Sequence, residues 1–159
     1  MRLAVDIKKR LGSFCLHVAF ACEDGVLGIL GASGCGKSMT LKCIAGIEKP
    51  DRGTITLDGR VLFDIEKHIN LTPQQRRVGY PFQQYALFPN MTVAQNICVV
   101  PKLLKADKAK CDEIVRDLLK MVNMEAYADK YPSELSGGQQ QRIGDQRALA
   151  ASPPIVLMD

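Results

Sequence analysis

VLGILGASGCGKSMTLKCIAG, residues 26–46, is the stretch from which the fold is read. Val26–Leu30 is an uninterrupted apolar run, which predicts a fully buried strand. Gly31–Gly36 breaks any regular period. Lys37–Ala45 then carries Met39, Leu41, Ile44 and Ala45 at helical spacing, and Gly46 follows as a stop. Strand, glycine loop and helix in that order predict an α/β core with the loop at its functional edge.

On the N-terminal side, Leu3–Ile7 and Phe14–Phe20 alternate apolar and polar residues as strands do. On the C-terminal side, Thr54–Leu57 and Val61–Phe63 flank Asp58-Gly59, a hairpin signal, and a short strand is expected over residues 78–82. From Thr92, a fitting N-cap, the pattern becomes helical, with Pro101 read as a stop and a second helix over Lys108–Met121. Pro132 precedes a second glycine turn, Ser133–Gly138, and a helix to about residue 151. An apolar run, IVLM, then leads to Asp159.

Composition narrows the function classes. The 159 residues are about one domain's worth, 47% hydrophobic and 24% charged, as in ordinary folded proteins. Twenty-one Lys and Arg against seventeen Asp and Glu leave +4, and the clusters Lys8-Lys9-Arg10, read as a turn, and Lys102/Lys105/Lys108/Lys110 lack interleaved aromatics. Solvated surface is therefore expected, and no nucleic acid partner. The six cysteines contain no C-x-x-C pair and read as reduced thiols, and neither His17 nor His68 belongs to a ligand cluster. No apolar run approaches the ~20 residues that span a bilayer, so a cytosolic chain is expected.

GASGCGKS, namely Gly31, Ala32, Ser33, Gly34, Cys35, Gly36, Lys37 and Ser38, fits G-x-x-x-x-G-K-[ST] between a predicted strand and a predicted helix. Such a loop turns successive N–H groups, here those of residues 34–37, toward phosphate oxygens, and the helix start adds partial positive charge. Lys37 would reach the β and γ phosphates, and Ser38 would offer its hydroxyl to Mg²⁺. The second element, LSGGQQQR at residues 135–142, reads by itself as a cap before a helix.

Together with LKCIAGIEKPDRGTITLDG (41–59), VGYPFQQYALFPNMTV (78–93) and IVLMD (155–159), these motifs resemble the ATP-binding subunit of ABC transporters from Val26 to Asp159. The resemblance implies a P-loop NTPase (RecA-like) core with a small antiparallel β-subdomain, residues 1–90 and 153–159, and an inserted helical subdomain, residues 91–152. It makes GASGCGKS the Walker A loop, Gln83 the Q-loop glutamine, IVLMD the Walker B strand, and Leu135, Ser136, Gly137, Gly138 and Gln139 the signature that meets the ATP of a partner. ATP and Mg²⁺ are the implied ligands, with Ser38, Gln83 and Asp159 on the metal.

It further implies a head-to-tail pair of ATPase subunits docked on transmembrane permease subunits at the inner face of the membrane, served indirectly by a solute-binding protein. Residues 58–90 look most like oxyanion importers, the molybdate importer above all, with sulfate, polyamine and iron importers sharing RRVGY, FQ and ALFP. An adenine-stacking aromatic is implied upstream of the loop; Phe14 is the nearest candidate, although its alternation with Leu16 and Val18 reads as core packing.

The family's catalytic Glu would follow Asp159, and the D-loop, switch histidine, last core strands and regulatory domain would follow in turn, so the reading expects a chain truncated after Walker B. Pro81, in the strand feeding Gln83, removes a ladder donor. Gly144, Asp145 and Gln146 interrupt a helix face expected to be small and apolar, with Arg142 as the nearest partner for Asp145. Two alternatives stay open: a non-catalytic nucleotide-binding remnant, and a soluble ABC-type protein acting on DNA or ribosomes. The latter is disfavoured by the absence of long heptads between the two glycine motifs.

Overall fold

The computed structural model describes residues 1–81 and 87–159, which form two compact units, residues 1–78 with Asp159 and residues 79–158. In the first unit, β1 (Leu3–Leu11) and β2 (Phe14–Cys22) make an antiparallel hairpin. β3 (Arg52–Leu57), β4 (Arg60–Asp64) and β5 (Ile69–Asn70) complete a five-stranded antiparallel sheet in the order β2-β1-β3-β4-β5. Leu3, Val5 and Ile7 alternate inward along β1 and are buried with Leu16, Ile55, Leu57, Leu62 and Phe63. The hairpin expected at Asp58-Gly59 is present, with φ of 49° and 77° at those residues, as a two-residue primed turn requires.

The glycine loop leads into α1 (Lys37–Ala45), whose Thr40, Leu41, Cys43, Ile44 and Ala45 are buried. α2 (Pro73–Arg76) is a single turn started by Thr72, which caps the Gln75 amide while the Gln75 side chain returns the bond.

The second unit is a helical bundle: α3 (Val93–Leu103), α4 (Lys108–Met121) and α5 (Gly137–Leu149) close over Val93, Ile97, Leu118, Leu119, Met124, Leu135 and Ile143. Thr92 caps α3 as expected, in a capping box with Gln95, and Asp107 caps α4. Asn96 is fully buried ahead of this core. Its Oδ1 accepts the Phe88 amide at 2.8 Å and its Nδ2 donates to the carbonyls of Phe88, Met91 and Thr92, which fixes the 88–92 turn.

Several expectations are corrected. Val26–Leu30 is no strand: Val26 is 103% and Leu30 95% exposed, and the run belongs to no sheet among the described residues. Apolar composition makes such a strand only where neighbours pair its backbone and cover both faces. IVLM likewise contributes one parallel bridge, Val156 to Gly79, held by Gly79 N to Ile155 O at 2.9 Å and Leu157 N to Gly79 O at 2.8 Å. The next rung would use the amide of residue 81, and Pro81 has none, so the expected 78–82 strand ends at that bridge; residues 82–86 lie outside the described ones.

Pro101 does not stop its helix, which runs on to Leu103: the ring is buried and removes one N–H, and less than a turn of helix follows it. Lys8, Lys9 and Arg10 are not in a turn but in β1, opposite His17, Leu16 and Cys15. Phe14 is not core: it opens β2 at 44% exposure, while Leu16 is buried.

Candidate functional site

Three elements of the first unit build the site: the loop Gly31–Gly36, the start of α1, and Asp159. The loop's shape depends on Gly34 and Gly36, at φ of +80° and +99°. At residue 36 a Cβ would also stand 2.6 Å from Leu16 Cδ1. A side chain there would force the chain away from β2 and open the turn that presents α1.

Gly36 also leaves α1 without a side-chain cap, and its first turn contains no acidic residue. In contrast, α2, α3, α4 and α5 begin at Thr72, Thr92, Asp107 and Ser136, each accepting a backbone amide through its side chain. The first-turn N–H groups of α1 thus face outward with the positive end of the helix dipole and no internal anion.

Lys37 Nζ folds back on the loop, donating to the carbonyls of Gly31 at 2.7 Å and Ala32 at 2.8 Å and lying 3.7 Å from Cys35 Sγ. Among the described residues no carboxylate pairs with it, so its charge is available to a ligand. Ala32, Ser33 and Cys35 are exposed around it. Cys35 Sγ also sits against Gly31, where a Cβ would come within 2.7 Å. Ser38 Oγ donates to Asp159 Oδ1 at 2.8 Å, which closes 121 residues of chain into one polar pair. A hydroxyl and a carboxylate are hard oxygen donors of the kind Mg²⁺ selects, and Mg²⁺ needs few from a protein because it retains waters and phosphate oxygens. These donors fit it.

Behind the loop, a cavity of about 360 Å³ is lined by Leu16, Val18, Phe20, Leu27–Leu30 and Thr40, with Lys37 at its wall. Its lining is mostly apolar, and Lys37 supplies the charge.

The second glycine motif lies in the other unit. Ser136 caps α5: its Oγ accepts the Gln139 amide at 3.3 Å while Gln139 Oε1 accepts the Ser136 amide at 2.8 Å. Leu135 is buried in the helical core, and Gln140, to which sequence reasoning gave no role, donates to the carbonyls of Pro132 and Leu135. Its signal was only its place one turn inside a capped helix. Gly137 and Gly138 have helical backbones and open space where a Cβ would stand, so packing within the chain does not require either glycine. Asp145 acquires no Arg142 partner among the described residues, and burial raises its pKa above the ordinary value. Gln146, next in sequence, is buried, and its Oε1 has no hydrogen-bond partner among the described residues. Gln83, expected at the metal, lies outside the described residues.

Comparison with known proteins places this geometry in context. The ABC transporter family model matches residues 17–159. The chain is 41% identical over 157 residues to a molybdenum import ATP-binding protein of Paramagnetospirillum magneticum, covering 99% of this chain and 43% of that protein. It is 47% identical over 153 residues to a glycine betaine/carnitine/choline transport ATP-binding protein of Bacillus subtilis, covering 96% and 38%. It is 41% identical over 160 residues to a probable sulfate/thiosulfate import ATP-binding protein of Chlorella vulgaris, covering 99% and 65%. Among solved structures, a dimeric ATP-binding cassette in a post-hydrolysis state bound to ADP and Pi superposes with a TM-score of 0.73 at 30% identity, covering all of this chain and 73% of that one. The chain thus spans less than half the length of the first two relatives. Its loop–helix geometry, its two glycine motifs and these matches together show that the chain belongs to the ABC transporter family.

Proposed function

We propose that the chain is the nucleotide-binding part of an ABC importer ATPase, with Gly31–Ser38 holding the phosphates of ATP. The observation that carries this reading is the uncapped, acid-free start of α1 beside an unneutralised Lys37. The amides of residues 34–37 would bind phosphate oxygens, and the Lys37 ammonium would exchange its two carbonyl partners for the β and γ phosphates. Ser38, Asp159 and Gln83 would hold Mg²⁺, which supplies charge neutralisation between phosphates when bound. Residues 1–90 with 153–159 would serve as the nucleotide core and residues 91–152 as the helical subdomain.

The signature Leu135–Gln139 would complete the ATP site of a second ATPase subunit in a head-to-tail dimer. Its support is local: two glycines that the chain's own packing does not require stand at a helix start whose cap is already satisfied, which leaves that end open to close approach. Transmembrane permease subunits and, through them, a solute-binding protein are the further partners, with the chain peripheral on the cytoplasmic face. Among the described residues no helix is long and apolar enough to cross a membrane.

For cargo we propose molybdate or a related oxyanion, supported by residues 58–90 and by the molybdenum-import relatives. A second reading, an osmoprotectant such as choline, is favoured by the 51% identity over 153 residues to a choline transport ATP-binding protein of Bacillus subtilis. Calorimetry with Mg·ATP on folded chain tests the nucleotide reading: micromolar binding is expected, and absence of heat overturns it. Turnover measured on the same sample separates an ATPase from a binding-only remnant. Uptake of molybdate against choline in cells carrying and lacking the gene tests the cargo.

A further inference from the structure

The far end of α1 is as heavily satisfied as its start is bare. Arg76, presented by the single turn α2, is 1% exposed and is the largest fully buried side chain among the described residues. Its Nη1 donates to the carbonyls of Cys43 at 2.7 Å and Ile44 at 2.9 Å, in the last turn of α1. Its Nε donates to Leu71 O at 2.9 Å and its Nη2 to Asn70 Oδ1 at 3.0 Å. Another carbonyl of that turn, Lys42 O, accepts the amides of Ile47 and Glu48. Gly46, at φ +81°, completes the arrangement: a Cβ there would stand 2.6 Å from Arg76 Nε. Glycine is therefore required at 46 both by the turn and by the guanidinium.

Among the described residues no carboxylate lies within ion-pair distance of Arg76. The neighbouring Cys43 thiol, whose pKa burial pushes up to about 11, remains neutral. Buried arginines are ordinarily paired. Here only carbonyl dipoles surround the charge, at the negative end of a helix about 13 Å long whose positive end carries the phosphate loop.

We propose that Arg76 is a positioning residue for the phosphate loop: it clamps the C-terminal end of α1 and adds an uncancelled positive charge behind the anion site, so that it sets nucleotide affinity without touching nucleotide. The proposal rests on the nucleotide reading above. It distinguishes itself from a purely structural role by its dependence on ligand charge, since a lost field weakens ATP more than ADP and ADP more than AMP, whereas a merely loosened fold weakens all three alike.

The test compares Kd for ATP, ADP and AMP measured in EDTA, where the ligand charge falls in that order, and Tm without ligand, in the wild type and in Arg76→Met, Arg76→Lys, Asn70→Asp and His68→Asp. Arg76→Met is expected to weaken ATP about tenfold and ADP about threefold, with Arg76→Lys recovering most of the loss. Because Arg76→Met leaves buried carbonyls unpaired and could fail to fold, Asn70→Asp is the second variant. It keeps the Nη2 bond and supplies the missing anion, so Tm should hold or rise while ATP affinity falls about threefold. His68→Asp, the same added charge in the exposed loop next to β5, should change neither. Equal affinities in the wild type and Asn70→Asp, or a loss shared equally by ATP, ADP and AMP, overturns the proposal while leaving the nucleotide reading intact. A wild type that binds no nucleotide overturns both.

Discussion

Ser38 and Asp159 meet in a 2.8 Å hydrogen bond, hydroxyl to carboxylate, across 121 residues of sequence. This pair gives the site an oxygen-donor corner independent of the loop amides. Ser38→Ala should weaken Mg·ATP about tenfold while leaving metal-free ATP nearly unchanged, because the amides and Lys37 persist. Titrations with and without EDTA check this. Equal losses under both conditions would place Ser38 on the phosphates instead.

Lys37 makes its two carbonyl bonds at the exposed surface, where each contributes little to folding. Lys37→Met should therefore leave Tm within about 2 °C of wild type and weaken ATP some 30- to 100-fold, the scale of a charge-assisted phosphate contact. Calorimetry paired with thermal melts separates the two quantities.

Cys35 is exposed within the loop, its sulfur against Gly31 and 3.7 Å from Lys37 Nζ. An alkyl group on that sulfur would fill the space a phosphate needs. Treatment with iodoacetamide is expected to abolish ATP binding, with bound ATP protecting the thiol, as read by mass spectrometry. Modified protein that binds ATP normally would remove Cys35 from the site. Cys43, Cys98 and Cys111 are buried and should react slowly.

Much of this site is legible in the amino-acid order. The bounds of α1, its glycine stop, the Thr92 cap and the Asp58-Gly59 turn all rest on interactions within a few residues, which sequence displays directly. What sequence concealed is non-local. Arg76 was one basic residue among many until its four acceptors, two of them more than thirty positions away, surrounded it. Asn96 gave no signal of its four bonds to the 88–92 turn. Val26–Leu30 misled in the opposite sense, because apolar composition reports a wish for burial and not the presence of the neighbours that supply it.

Asn96→Ala should cost about 1–3 kcal/mol in urea unfolding, since truncation removes the partner of the Phe88 amide and of Met91 O, while Phe88 O and Thr92 O keep the amides of Met91 and Asn96. Asn96→Asp should also destabilise, because it keeps only the acceptor for Phe88 and turns an oxygen toward carbonyls. A neutral result for the aspartate would show the donors to be dispensable.

Burial raises the pKa of Asp145 above its unfolded value of 3.8, so the native state binds the proton more tightly than the unfolded state does. Stability contributed by the neutral form is full below pH 3.8 and is lost as pH climbs through the raised native value. Asp145→Asn should accordingly raise Tm by about 1–3 °C at pH 7 and by nothing near pH 3, where both side chains are neutral. An equal gain at both pH values would point to packing.

Strand order has a consequence for how the protein emerges from the ribosome. β1 is an interior strand of the sheet, but its second partner, β3, follows only after the glycine loop and α1 have been made, and Arg2 is held by Asp58, at the turn beyond β3. At about 5–20 residues per second, the nascent hairpin waits on the order of seconds with one edge bare. During that interval the glycine loop and α1 are made before the sheet that will flank them is complete, so the bare edge of β1 is a place where a pairing with another chain would divert folding.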